Sequence, residues 1–294
     1  MNRSFAAACA GLLLLALSWL VLAADDLARV ARSSELRGLL GLSLLYVVTH
    51  LLRMLRLALL TLDTRSLALA AMAAHGLTAF PSSFLPFKLG EVLRLAAFSR
   101  VYGSFRRALA VWLVERFSDV LVISTFILGL YVLEVEVPPA MRIVFILFVA
   151  ASALGLLSVF AVSKVFMYLN RRLVLTSETP RGLALLRAGH ALRQLDADIK
   201  RSVQGRFAGV LLLSLLIWGI ELLTLLLFLR AQPAGGEASL PLLFVSALLA
   251  SLPGGHVPGA EGFGLYQSLG LVMVCVGVLA LIRGRTRARR RPQA

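Results

Sequence analysis

Residues 67–87 run for 21 positions without a Lys, Arg, Asp or Glu, and Pro81 and Pro86 both fall inside that run. Proline removes a backbone donor and clashes with the preceding turn, so one uninterrupted helix does not fit this stretch. In hydrocarbon, each lost backbone hydrogen bond must be replaced from within the protein or from a wet cavity. Lys88, Glu91 and Arg94 follow at once. The pattern reads as two half-helices meeting at a break inside the membrane, with charges at the mouth of the second. That arrangement presents a helix N-terminus to an anion. The alternative is a kinked span whose charges have reached the interface. Ionisable groups at membrane depth are costly, which favours the functional reading.

The rest of the chain supports a membrane setting. Hydrophobic residues make up 59% and charged residues 15%, against about 45–50% and about 25% in soluble domains. Spans of about 20 apolar residues are expected near 5–23, 38–57, 66–100 (broken), 108–133, 141–163, 207–229, 238–260 (broken) and 262–282. The fold class expected is therefore all-α: a polytopic integral membrane bundle forming a single membrane domain over 1–294. The first run ends in Val21-Leu22-Ala23, which could pass for a signal-peptidase site. Its length and the spans that follow favour a retained helix.

Several features stand out along the chain. Arg53 and Arg56 load the far end of the 38–57 span and read as snorkelling to the headgroups. Glu115 and Asp119 lie four apart and share a helix face. Arg116 sits next to Glu115, about 100° round the helix and near enough to lean toward it. Glu221 lies inside the 207–229 span. Residues 164–206 hold nine basic and three acidic residues, and from Pro180 onward leucines recur at helical spacing. This is a basic amphipathic helix, suited to an anionic membrane face or to packing under the bundle. Pro253, Gly254 and Gly255, in a run reaching Gly259, form a second break and Glu261 follows it. His50, His75, His190 and His256 show no ligand spacing, so no metal or other cofactor is expected. Cys9 and Cys275 read as small buried hydrophobes.

The net charge of +15 is carried by 27 Arg and 3 Lys. In a soluble chain this would suggest nucleic acid; here the positive-inside rule accounts for it, and no nucleic-acid partner is expected. With a cytoplasmic N-terminus and the first break entering from the cytoplasm, segments 1–4, 53–65, 88–107, 164–206 and 283–294 are inside. They hold 24 basic residues, against four in 24–37, 134–140 and 230–237. The second break then enters from the opposite side. Two breaks of opposite sidedness are what an inverted-topology repeat produces.

Three stretches resemble a known family. Pro86-Phe-Lys88-Leu-Gly90-Glu91-Val-Leu-Arg94 is similar to its Pro-x-basic-x-Gly-Glu-x-x-Arg. Glu115-Arg116-Phe-Ser-Asp119 is similar to its Glu-Arg-x-x-Asp. Pro253-Gly254-Gly255 with Glu261 is similar to its Pro-Gly-Gly-x-Gly-x-x-Glu, with the glutamate one residue further on. The family is the flippase-like membrane domain of the lysylphosphatidylglycerol synthases (the multiple peptide resistance proteins) and their stand-alone relatives. The resemblance implies lipid translocation in the bacterial cytoplasmic (inner) membrane. It points to Lys88, Glu91, Arg94, Glu115, Arg116, Asp119 and Glu261 as lipid-binding residues. The synthases also carry a cytoplasmic domain that aminoacylates phosphatidylglycerol; this sequence shows none, so it is not expected to make the lipid.

The expected function is flippase-like movement of a polar, phosphate-bearing lipid between leaflets, without enzymatic activity. A membrane-embedded lipid transferase would need a donor site, and no donor-binding or nucleotide-binding motif is visible. A non-catalytic partner of a lipid or envelope biosynthesis enzyme, docking through the basic helix and tail, is a third reading. A small-solute transporter is a fourth. Expected partners are membrane lipids and the anionic membrane surface.

Overall fold

The structure is a computed structural model that describes residues 3–32, 36–62, 65–83, 85, 89–137, 139–176, 180–231, 240–251 and 263–288. Every regular element among them is a helix: α1 (Arg3–Leu22), α2 (Ala24–Arg32), α3 (Leu36–Leu60), α4 (Arg65–Ser83), α5 (Leu89–Tyr102), α6 (Phe105–Val132), α7 (Pro139–Thr176), α8 (Pro180–Val203), α9 (Phe207–Ala231), α10 (Leu240–Ser251) and α11 (Phe263–Ala288). Three stretches among the described residues, Arg37–Leu60, Phe207–Ala231 and Phe263–Gly284, are long and apolar enough to cross a bilayer. Leu44, Leu51 and Leu55 of α3 remain more than half exposed. A helix apolar on its outer face belongs in lipid. The protein is an all-helical membrane protein.

Helix α3 is the hub, flanked by α4, α9 and α11. Three apolar cores surround it. The first gathers Ile127 and Leu130 of α6, Leu222 and Phe228 of α9, Val245 and Leu248 of α10, and Phe145 of α7. The second joins Leu57, Ala71, Phe98, Ala108, Val111 and Val210 from α3, α4, α5, α6 and α9. The third holds Trp19, Phe80, Leu271 and Cys275, tying α1 and α11 to α4. The middle of α6, where Glu115 and Asp119 lie, falls between the first two cores.

The expected break is present, but Pro81 does not make it. Helix α4 carries Pro81 in its last turn and runs on to Ser83. So near the helix end, the proline removes one hydrogen bond and leaves only two further residues to support. The interruption falls between Ser83 and Leu89, where Pro86 and Lys88 lie outside the described residues. Helices α4 and α5 then fold back on each other as a tight hairpin. Ser82 Oγ donates to the Gly90 carbonyl at 3.2 Å. A Cβ at Gly90 would stand 2.7 Å from both Cβ and the carbonyl oxygen of Ser82, so the close approach requires glycine. At the other end of α5, Gly103 takes φ 63°, a conformation open to a residue without a Cβ. Ser104 follows in extended conformation and α6 begins. A two-residue turn makes α5 and α6 antiparallel neighbours.

Helix α7 has 38 residues, about 57 Å at 1.5 Å per residue. It therefore continues past residue 163, where its span was expected to end. Helix α8 packs against α6 and α7: Arg106 donates to Asp198 at 2.6 Å, and Ile199 and Val203 reach the second core. The packing under the bundle expected for this amphipathic helix is present, and it is compatible with a membrane-facing outer side. The second break, with Pro253, Gly254, Gly255 and Glu261, lies outside the described residues.

Candidate functional site

Four helices bring charge into the bundle. The 3.6-residue turn sets His50, Arg53 and, a further turn on, Arg56 along the inner side of α3. Helix α6 supplies two rows four residues apart, Glu115 with Asp119 and Trp112 with Arg116. Helix α5 supplies Glu91 and Arg94, and α9 supplies Ser214 and, two turns on, Glu221. Helix α4 adds His75.

At the centre is Arg56, which is 0% exposed, as is Glu115. Arg56 grips Asp119 with both terminal nitrogens, at 2.5 and 3.3 Å. It also donates to Ser214 Oγ at 2.7 Å and to Glu115 Oε1 at 3.2 Å. Glu115 bridges to the next helix, accepting from Arg94 Nη2 at 3.0 and 2.7 Å. The Arg94 guanidinium stands 5.2 Å from the Phe98 ring centroid, a cation–π contact. Toward the outside, Trp112 donates to Glu91 Oε2 at 2.8 Å. Arg116 approaches Glu91 at 3.4 Å and Asp119 at 3.7 Å. On the α9 side Arg53 is ion-paired with Glu221. The set is four arginines (53, 56, 94, 116) and four acids (91, 115, 119, 221), so it is electrically balanced.

This corrects the reading of Arg53 and Arg56 as snorkelling side chains. Helix α3 continues to Leu60, so Arg56 lies a turn inside the helix end rather than at it. Acids on α6 and α9 meet it there. Arg116 does not lean on Glu115; it turns to Glu91 and Asp119, and Arg56 is the cation that holds both buried acids of α6.

A cavity of about 250 Å³ adjoins the network, lined by His50, Arg53, His75, Ala79, Ser82, Gly90, Glu91 and Arg94. Three of these side chains bury a nitrogen with no hydrogen-bond partner among the described residues: Arg53 Nε, Arg94 Nε and His75 Nδ1. Buried donors normally find partners, so a cluster of unfilled ones beside a cavity marks a place for an acceptor. A second cavity of about 280 Å³ lies under α8, lined in part by Thr61, Tyr102, Arg107, Asp198 and Arg201. Its buried acid is already held by Arg106.

A family model described as the lysylphosphatidylglycerol synthase TM region matches residues 6–279. The chain belongs to that family. Comparison with curated proteins and with solved structures gave no match. The match to the lysylphosphatidylglycerol synthase TM region spans all eight charges and the cavity, and it supports a lipid-related role in the membrane.

Of the residues singled out from the sequence, the structure of this family member brings together Glu91, Arg94, Glu115, Arg116 and Asp119, with Gly90 shaping the hairpin beside them. Lys88 and Glu261 lie outside the described residues. Sequence reasoning missed Arg53, Arg56, Ser214, the role of Glu221, and the meeting of His50 with His75. One signal was available: acids inside spans, such as Glu221, demand cations at the same depth. Among the described residues no group of three or more His, Cys, Asp or Glu could hold a metal ion.

Proposed function

We propose that the protein moves a lipid with an anionic, phosphate-bearing headgroup between leaflets, and that the headgroup docks in the cavity between α3, α4 and α5. The observation that carries this reading is the pair of unfilled donors, Arg53 Nε and Arg94 Nε, against one cavity, with the unpartnered His75 Nδ1 in the same wall. A phosphate offers several acceptor oxygens, and guanidinium groups suit it well. The α5 N-terminus, close to Gly90 in the cavity wall, adds backbone N–H groups and positive dipole. The balanced network keeps these cations in the bundle without a headgroup, because unpaired charges at membrane depth would each cost about 2.5–3.5 kcal/mol on insertion scales.

The movement needs no bond made or broken, so the protein works as a carrier and not as an enzyme. The α4–α5 hairpin acts as a re-entrant element. The chain sits in a cytoplasmic membrane with both termini and α8 on the cytoplasmic side. Setting aside Arg53, Arg56 and Arg94, which belong to the bundle, 21 basic residues remain on the inside segments against four outside, in keeping with the positive-inside rule.

The test is translocation of fluorescent phosphatidylglycerol in proteoliposomes. Arg94→Ala should slow it by about tenfold or more, the equivalent of about 1.4 kcal/mol. Glu115 keeps Arg56 as its partner, so the variant should still insert and fold. Wild-type rates in a folded Arg94→Ala protein would exclude the cavity as the headgroup site.

A further inference from the structure

Two histidines from different helices meet at the cavity wall. His50 Nδ1 of α3 lies 3.2 Å from His75 Nε2 of α4, with the rings stacked at 5.4 Å and 26°. They are 6% and 2% exposed, and both line the cavity. Neither is used by the ion-pair network, and His75 Nδ1 has no partner among the described residues.

We propose that the His50–His75 pair is a proton-binding site that takes up one proton when an anionic phosphate group docks in the cavity. The inference rests on the cavity being the headgroup site. It follows from the geometry of the pair and from the charge around it.

An N···N hydrogen bond needs a proton on one nitrogen and a lone pair on the other. Two neutral imidazoles satisfy that, and so does a pair carrying one extra proton. Two extra protons do not, because every nitrogen would then be a donor. The pair can therefore change charge by one without breaking its contact. In the singly protonated form with the charge on His75, Nδ1 is an N–H donor, which is what an anion in the cavity calls for.

The surroundings set when that proton is needed. Helix α3 contributes Tyr46, whose ring centroid is 5.0 Å from that of His50, together with Arg53 and Arg56. Helix α4 brings no other charge after Arg65. Helix α5 brings Glu91 and Arg94; α6 brings Glu115, Arg116 and Asp119; α9 brings Glu221. Helix α11 packs on both α3 and α4 and carries no charged residue from Phe263 to Ile282. Among the described residues four arginines stand against four acids, so that set is neutral when the histidines are neutral. A phosphodiester brings one negative charge, and an uncompensated charge in a buried site is strongly disfavoured. Glu115 and Asp119 already accept hydrogen bonds from Arg94 and Arg56. The histidine pair can restore neutrality, taking its proton from solvent while no bond in the lipid changes.

Linkage gives the sign. The complex holds one more proton than the free protein, so affinity rises as pH falls. The slope is about tenfold per pH unit between the titration of the free pair and that of the occupied pair.

The experiment is calorimetric titration of the purified full chain in detergent with short-chain phosphatidylglycerol, in two buffers of different ionisation enthalpy. Uptake of about one proton per lipid is expected. In His50→Gln and His75→Gln, checked for folding by thermal melts, uptake should fall close to zero and the pH slope should flatten; His50→Gln, which leaves both arginine donors and His75 in the cavity wall, should still bind lipid. Short-chain phosphatidylcholine, whose headgroup is neutral overall, should bind without uptake. Inorganic phosphate binding with the same uptake would keep the coupling and assign the site to a free anion rather than a lipid. Phosphatidylglycerol binding with no uptake would overturn the proton site and leave the headgroup site standing. So would uptake that survives both histidine variants and vanishes in Glu91→Gln. If neither phosphatidylglycerol nor inorganic phosphate binds, both readings fall.

Discussion

The two sides of Glu115 use the same chemistry and leave it in different states. On the inner side, Arg56 is wholly buried and its terminal nitrogens reach Asp119, Ser214 and Glu115. On the cavity side, Arg53 and Arg94 each keep one acid partner and each leave a buried Nε unfilled next to open space. Arg56 does not line the cavity, so the inner half has no open space in which to receive a ligand and is best understood as the joint between α3, α6 and α9. The cavity half is held in place by that joint and keeps its unfilled donors beside open space. Burial alone does not separate the two, since Arg94 is only 6% exposed, and Arg56 leaves its Nε unfilled as well; what separates them is the cavity, which Arg53 and Arg94 line and Arg56 does not.

The contrast can be broken first at Arg56. Arg56→Ala leaves Glu115 with Arg94 and leaves Asp119 with only the distant Arg116. Removing one partner of a buried ion pair typically costs about 3–5 kcal/mol. A large fall in the thermal midpoint in detergent is expected, with transport lost because the fold is lost. Arg94→Ala should cost less than half as much in the same melt while removing transport. Equal losses of stability would erase the division between joint and site.

Gly90→Ala probes the hairpin that shapes the cavity. The added Cβ would meet Ser82 backbone at 2.7 Å, and overpacking of this kind costs about 1–3 kcal/mol. A melt that falls by that amount, with slower transport, is the expected outcome; an unchanged melt would mean the α4–α5 approach is looser than the geometry shows. The smallest effect should come far from both halves. Lys200 pairs with Asp196 at 2.7 Å on the outer side of α8 with its side chain 74% exposed, so Lys200→Ala should change stability by about 0.5 kcal/mol or less. A larger change would show that α8 is held by more than its inward contacts.

What the sequence made legible follows from which signals are local. Glu115 and Asp119 share a face because they are four apart, and that spacing survives any tertiary arrangement. The α4–α5 interruption was readable because two prolines five apart in an apolar run do not fit one continuous helix, although Pro81 itself is carried in the last turn of α4. Arg56 was misread because an arginine near the end of an apolar run looks the same whether the helix stops there or continues one more turn to Leu60. The His50–His75 contact has no local signature. The two residues are 25 apart, and only the packing of α3 against α4 makes them neighbours.

The bridging of Glu115 has a kinetic consequence. A carboxylate held by one arginine must be stranded whenever that arginine turns to a ligand, and the stranded charge would stand as a barrier on the path. Glu115 is held from two sides, by Arg56 and by Arg94. Arg94 can swing to a phosphate while Glu115 stays fastened to Arg56, and swing back when the phosphate leaves. Neither direction passes through a bare charge, so capture and release can both be fast, and a headgroup can be bound firmly without being trapped.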